Sequence, residues 1–153
     1  MISRFSVQHI DVDKLLAEWR WLCPNQMTLV ARNVFADLFL SDSAGKIFRL
    51  DVAAGKLTEV SESETQFRQM AETLEKREEW FAEADERTAS ARGLNPSADQ
   101  CVGFAVPLAF AESGSKNESF IVDIYQQVGF LGDLHRLLST IPEGTKVRLK
   151  VVP

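Results

Sequence analysis

"VFADLFLSDSAGKIFRLDVAAGKLTEVS", residues 34–61, decides the architecture. Three apolar runs, at 34–42, 46–52 and 56–61, are separated by the turns "SAGK" and "AAGK". Each turn supplies a glycine, Gly45 and Gly55, where a hairpin of three or four loop residues needs a positive φ. The stretch therefore reads as a three-stranded meander. In its middle run Phe48, Leu50 and Val52 face one way, and Arg49 and Asp51 face the other. The two "GK" pairs are not phosphate loops. That motif needs G-x-x-x-x-G-K-[ST] between a strand and a helix. Here Ile47 and Leu57 follow the lysines, and strands follow the turns.

Upstream, "DVDKLLAEWRWL" (11–22) places Val12, Leu15, Leu16, Trp19 and Leu22 at helical spacing, with Asp11 as its cap. Pro24 stops this helix near Leu22. Downstream, Ser61 and Glu64 match a capping box. Phe67, Met70 and Leu74, then Trp80, Phe81, Ala84, Thr88 and Ala91, continue at helical intervals. This predicts one long helix or two short ones, with a break near Lys76. Gly93 ends it and Pro96 follows. "CVGFAVP" and "SFIVDIY" read as strands on either side of the polar loop "AFAESGSKNES". "GFLGDLHRLLSTI" (129–141) reads as a helix with Phe130, Leu131, Leu134, Leu137, Leu138 and Ile141 on its stripe. "KVRLKVV" (146–152) alternates as a strand wet on one face.

Strands come in blocks rather than alternating with every helix. The fold class is α+β, a mostly antiparallel twisted sheet with helices packed on one face. The 153 residues make one domain on the size prior, an N-terminal helical segment (1–30) preceding a core at 34–152.

Composition narrows the chemistry. Cys23 and Cys101 are far apart, and with only His9 and His135 beside them a zinc site would need all four to converge. Free, buried thiols in a reducing compartment are expected. The N-terminus lacks the apolar run of a secretory signal, and no stretch is apolar enough to span a bilayer, so the expected location is cytoplasmic. A net charge of −5 disfavours nucleic acid. Residues 62–92 hold nine acidic groups against five basic ones, so nearly all the surplus negative charge sits in one helical region.

In "DLH", Asp133 and His135 lie two apart and do not share a helix face. Asp123 lies upstream, and no spacing forces it onto His135. No nucleophile elbow, H-E-x-x-H, E-x-x-H or G-x-G-x-x-G occurs. Asp37, Asp42 and Asp51 near the hairpins read as turn formers before they read as cation ligands. Of the tryptophans, Trp19 and Trp80 fit apolar stripes. Trp21 falls off its stripe and is the candidate aromatic anchor for a protein contact.

The stretch "FADLFLSDSAGKIFRLDVAAGKLTEV", with "QCVGFAVPLAF" and "FLGDLHRLLSTIPEGTKVRL", resembles the successive motifs of a bacterial domain family of unknown function. That family also forms the C-terminal domain of immunity proteins against type VI secretion DNase effectors. It is similar to the Smi1/Knr4-like immunity and scaffold group, named for a yeast cell-wall regulator. The resemblance spans about residues 35–150. It implies a non-enzymatic, protein-binding domain without catalytic residues, metal or cofactor. Gln100, Gly103, Pro107, Gly132, His135 and Arg136 become turn-forming, capping or packing residues. The expected partner is a protein, a toxin or effector with a basic surface, met by Glu75, Glu78, Glu79, Glu83, Glu86 and Trp21. The competing expectation is a small enzyme or ligand-binding domain with a pocket at His135, Asp123 and Cys101. Nucleic-acid binding would rest on the basic face of "KVRLK" alone.

Overall fold

The computed structural model describes residues 4–110 and 117–147. Among them an antiparallel meander forms as expected, with one more strand than expected. Its strands are β1 (Thr28–Arg32), β2 (Leu38–Ser41), β3 (Ile47–Asp51) and β4 (Lys56–Ser61), in that spatial order. Gly45 and Gly55 take φ of 86° and 70° in the two turns. Asp42 supports the first turn by accepting from the Ala44 and Lys46 N–H groups. β5 (Gln100–Phe104) and β6 (Ser119–Asp123) form a separate antiparallel hairpin. The Val102 N–H donates to the Val34 carbonyl and ties that hairpin to the segment leading into β2.

α+β with an antiparallel sheet is what the structure shows. The helices, expected on one face, cover both. Successive side chains of a strand point to opposite faces, and here both faces are apolar. Leu38, Leu40, Leu50 and Val52 join one core. Phe39 and Ile47 join another. The first core is closed by α1 (Val12–Leu15), a 3-10 turn (Ala17–Trp19) and α5 (Ile124–Leu138). The second is closed by α2 (Glu64–Ala71) and α3 (Leu74–Phe81), through Phe67, Ala71, Trp80 and Phe81. α4 (Glu83–Ala91) follows α3 in the chain.

The predicted long helical region is three helices. Ser63, not Ser61, caps α2, its hydroxyl accepting from the Gln66 N–H at 3.1 Å. Thr73 caps α3 in the same way. Ala82, at φ 48°, breaks α3 from α4. Gly93 (φ 83°) ends α4, with the Leu94 N–H donating back to the Ala89 carbonyl. Of the expected last strand, Lys146 and Val147 are irregular and 148–152 lie outside the described residues. So does the centre of the polar loop, 111–116.

Two tryptophans fasten the N-terminal segment to α5. The buried Trp19 indole donates to the Val128 carbonyl at 2.7 Å, and Trp21 donates to the Gly132 and Glu18 carbonyls. Gly132 makes this possible. A Cβ there would lie 2.7 Å from the Glu18 carbonyl oxygen and 2.8 Å from the Trp19 ring.

Candidate functional site

The residues of the expected His135 site do not converge. Asp123 is the N-cap of α5, its carboxylate accepting from the Gln126 N–H at 3.0 Å. His135 lies three turns further on, about 18 Å along the axis at 1.5 Å per residue. The His135 ring is buried against Trp19. Its Nε2 lies 3.0 Å from the Ala53 carbonyl, which only accepts, so Nε2 carries the hydrogen. Burial holds its pKa below the usual histidine value. Cys101 is fully buried on β5, and burial pushes its thiol up to about 12, which leaves it un-ionised and unreactive. Cys23 is likewise buried, pushed up to about 11.

Next to this group, not within it, the structure opens a cleft of about 460 Å³. One side is the loop into β2 and strand β3, with Asp37, Arg49, Asp51 and Val52. The others are α4, the β5–β6 hairpin and α5. Its walls are largely apolar. Phe35 and Phe104 stack with centroids 6.1 Å apart, and Phe130 on α5 is 48% exposed.

The polar groups of the cleft are held by a tight turn at 33–37. The Asn33 carbonyl-type side-chain oxygen accepts from the N–H groups of Phe35 and Asp37 at 3.0 and 2.9 Å, and Ala36 takes φ 73°. The turn aims Asp37 at β3. One oxygen of Asp37 accepts from Nε and an Nη of Arg49 at 3.2 and 2.7 Å, and the other accepts from the Val52 N–H. Asp37 is buried, and burial, with the nearby Asp51 carboxylate, raises its pKa to about 6 against the pull of Arg49. Asp51 accepts from the Ala54 N–H at 3.0 Å. Asp37, Asp42 and Asp51 are thus spread over three separate hydrogen-bonding jobs. Among the described residues no group of three metal-ligating side chains is assembled.

The acidic helices form the other candidate surface, and here the expectation divides. Glu75, Glu78 and Glu79 are exposed on α3. Glu79 pairs with Lys76 at 2.7 Å, and Glu78 accepts from the Ala84 N–H at the start of α4. Glu83 is drawn inward between Arg4 and Arg77. Glu86 does not belong to an exposed contact surface at all. It is only 7% exposed, beside Arg4 and Arg32, and burial raises its pKa. The break at Ala82 turns α4, so that Glu86 and Ala89, three apart, share its buried side while Ala84, Thr88 and Ala91 of the expected stripe are exposed. Trp21 is 38% exposed, yet one ring face stacks on Trp19 at 5.8 Å and its N–H is committed. What sequence reasoning missed is Leu74. It is 79% exposed at the first position of α3, one turn before Glu78 and next to Glu75. Phe67, Met70 and Leu74 share a face only if the helix runs unbroken through Thr73. The Thr73 cap restarts the helix there and swings Leu74 outward.

No family model, no curated protein and no solved structure matches the chain. Among the described residues, no helix is long and apolar enough to cross a membrane.

Proposed function

We propose that the chain is a non-enzymatic domain that binds another protein, and that the partner is a secreted bacterial toxin or effector with a basic surface, as for an immunity protein. The observation that carries this reading is the outer side of α3. Leu74 protrudes at 79% exposure with Glu75 and Glu78 beside it and Glu79 and Glu72 exposed nearby. An apolar anchor set among charges is the usual anatomy of a protein contact, a desolvated centre inside a polar rim. The carboxylates speed encounter with a basic partner and make it salt-dependent. The reactive side chains support the same reading, since both thiols are buried and held protonated and His135 donates to a backbone carbonyl. The resemblance of the meander and the "LHR" segment to the immunity-associated family supplies the class of partner.

The test is capture from extracts of the encoding organism, at low and high salt, with the chain and a Leu74→Ala/Glu75→Lys variant as baits. Recovery of a basic protein by the parent chain, lost with the variant and weakened by salt, is expected. Equal recovery by both baits, or no specific protein at low salt, overturns the proposal.

A further inference from the structure

We propose that the cleft between β3, the β5–β6 hairpin, α4 and α5 binds a small organic cation: an ammonium or amidinium group carried on an aromatic or branched apolar body. This goes beyond the protein-binding reading, which rests on α3. The cleft's 460 Å³ falls in the range of sites for small organic molecules, which are mostly apolar with a few placed polar groups. The stacked pair Phe35 and Phe104, with Val102 and Phe130, offers the apolar surface. Aromatic faces also attract a cation directly.

The sign of the ligand's charge follows from the charged groups on the wall. Among the described residues of the wall, Asp37, Asp51 and Asp85 stand against Arg49 and Arg92, a surplus of one carboxylate. Arg49 is already committed, two of its N–H groups lying on one oxygen of Asp37. Asp51 accepts only the Ala54 N–H and has no cation in contact among the described residues. Asp37 and Asp51 already repel each other. A cation entering beside Asp51 relieves that repulsion, and an anion adds to it. Arg92 does not reverse the argument. It caps the C-terminal end of α4, where the helix carbonyls favour a positive side chain and disfavour an incoming anion.

The probes are 2-phenylethylamine and benzamidine, set against 3-phenylpropionate and 2-phenylethanol, titrated into the full chain at neutral pH and followed by amide chemical shifts and calorimetry. Saturable binding of an amine or amidine is expected, with shifts at Val52, Phe104, Gln127 and Phe130. The alcohol should bind at least about ten-fold more weakly and the propionate not at all. Asp51→Asn should weaken amine binding by about ten-fold, a loss of one favourable charge contact. Asp85→Asn, at an exposed position in the first turn of α4, serves as the second variant and should weaken it several-fold. Binding of the propionate as tightly as of the amine would overturn the proposal. So would amine binding untouched by both substitutions, or no saturable binding of either cationic probe.

Discussion

Gly132 shows how narrowly one residue sets the packing of this chain. Any side chain there must displace the Glu18 carbonyl or the Trp19 ring, and both are held by the hydrogen bonds that fasten the N-terminal segment to α5. Gly132→Ala should therefore cost roughly 1–3 kcal/mol, the usual penalty of overpacking, although alanine favours helix. Urea unfolding of the two proteins checks it, and an unchanged or raised stability would show that the contact yields freely. Asp37 is testable by pH. Its folded pKa, about 6 against 3.8 for a free carboxyl, means that the folded chain holds the proton more tightly than the unfolded chain. Stability from this group is therefore greatest below about pH 4, falls as pH rises through 6, and is flat above. The fall, spread over about pH 4 to 6, is on the order of 3 kcal/mol. Unfolding free energies measured from pH 4 to 7 should decline relative to those of Asp37→Asn, and parallel curves would contradict this. That Asp37 lies near a turn was legible in the sequence. Its partner Arg49, twelve residues away across a strand pair, was not, because only the register of β2 on β3 brings them together.

Elements were legible where local chemistry was unambiguous. The two glycine turns set the meander, and Gly93 ends α4 as read. The misreadings have local causes. "SESETQ" contains the cap pattern S-x-x-[EQ] twice, and the fold uses the second, Ser63 with Gln66. β1 is buried along Leu29–Arg32 and shows no alternation to betray a strand. α5 starts at Ile124, five residues before the expected start, because Asp123 caps it and neither Gly129 nor Gly132 interrupts the helix, Gly132 serving close approach to Glu18 and Trp19. Ala82 is the least legible point. An alanine at φ 48° pays about 1–2 kcal/mol for the left-handed conformation, and glycine does not. Ala82→Gly should stabilise the chain by about 0.5–1 kcal/mol after the entropy glycine adds to the unfolded state. Thermal unfolding reads this out, and a lowered midpoint would mean that the Ala82 methyl contributes packing the backbone argument omits.

At the scale of the whole molecule, the α+β class followed from the order of runs, but the two-sided sheet did not. Leu38–Phe39–Leu40 is apolar on both faces, and such a run reads the same whether one layer covers it or two. The cleft was invisible for a related reason, since its walls come from residues between Asn33 and Leu131 that only the packed layers collect. The acidic surplus of 62–92 was legible, yet its effective part is smaller than its composition, because Glu83 and Glu86 turn inward. Seven of its carboxylates stay exposed, and three of them, Glu75, Glu78 and Glu79, lie on α3 beside the protruding Leu74, where the partner is proposed to dock. Amide hydrogen exchange of the chain, free and bound to its captured partner, tests that docking most directly. Slowed exchange across α3 and the start of α4, with α5 unchanged, is the expected result. Protection confined to α5 or to the β5–β6 hairpin, with α3 exchanging as in the free chain, would contradict it.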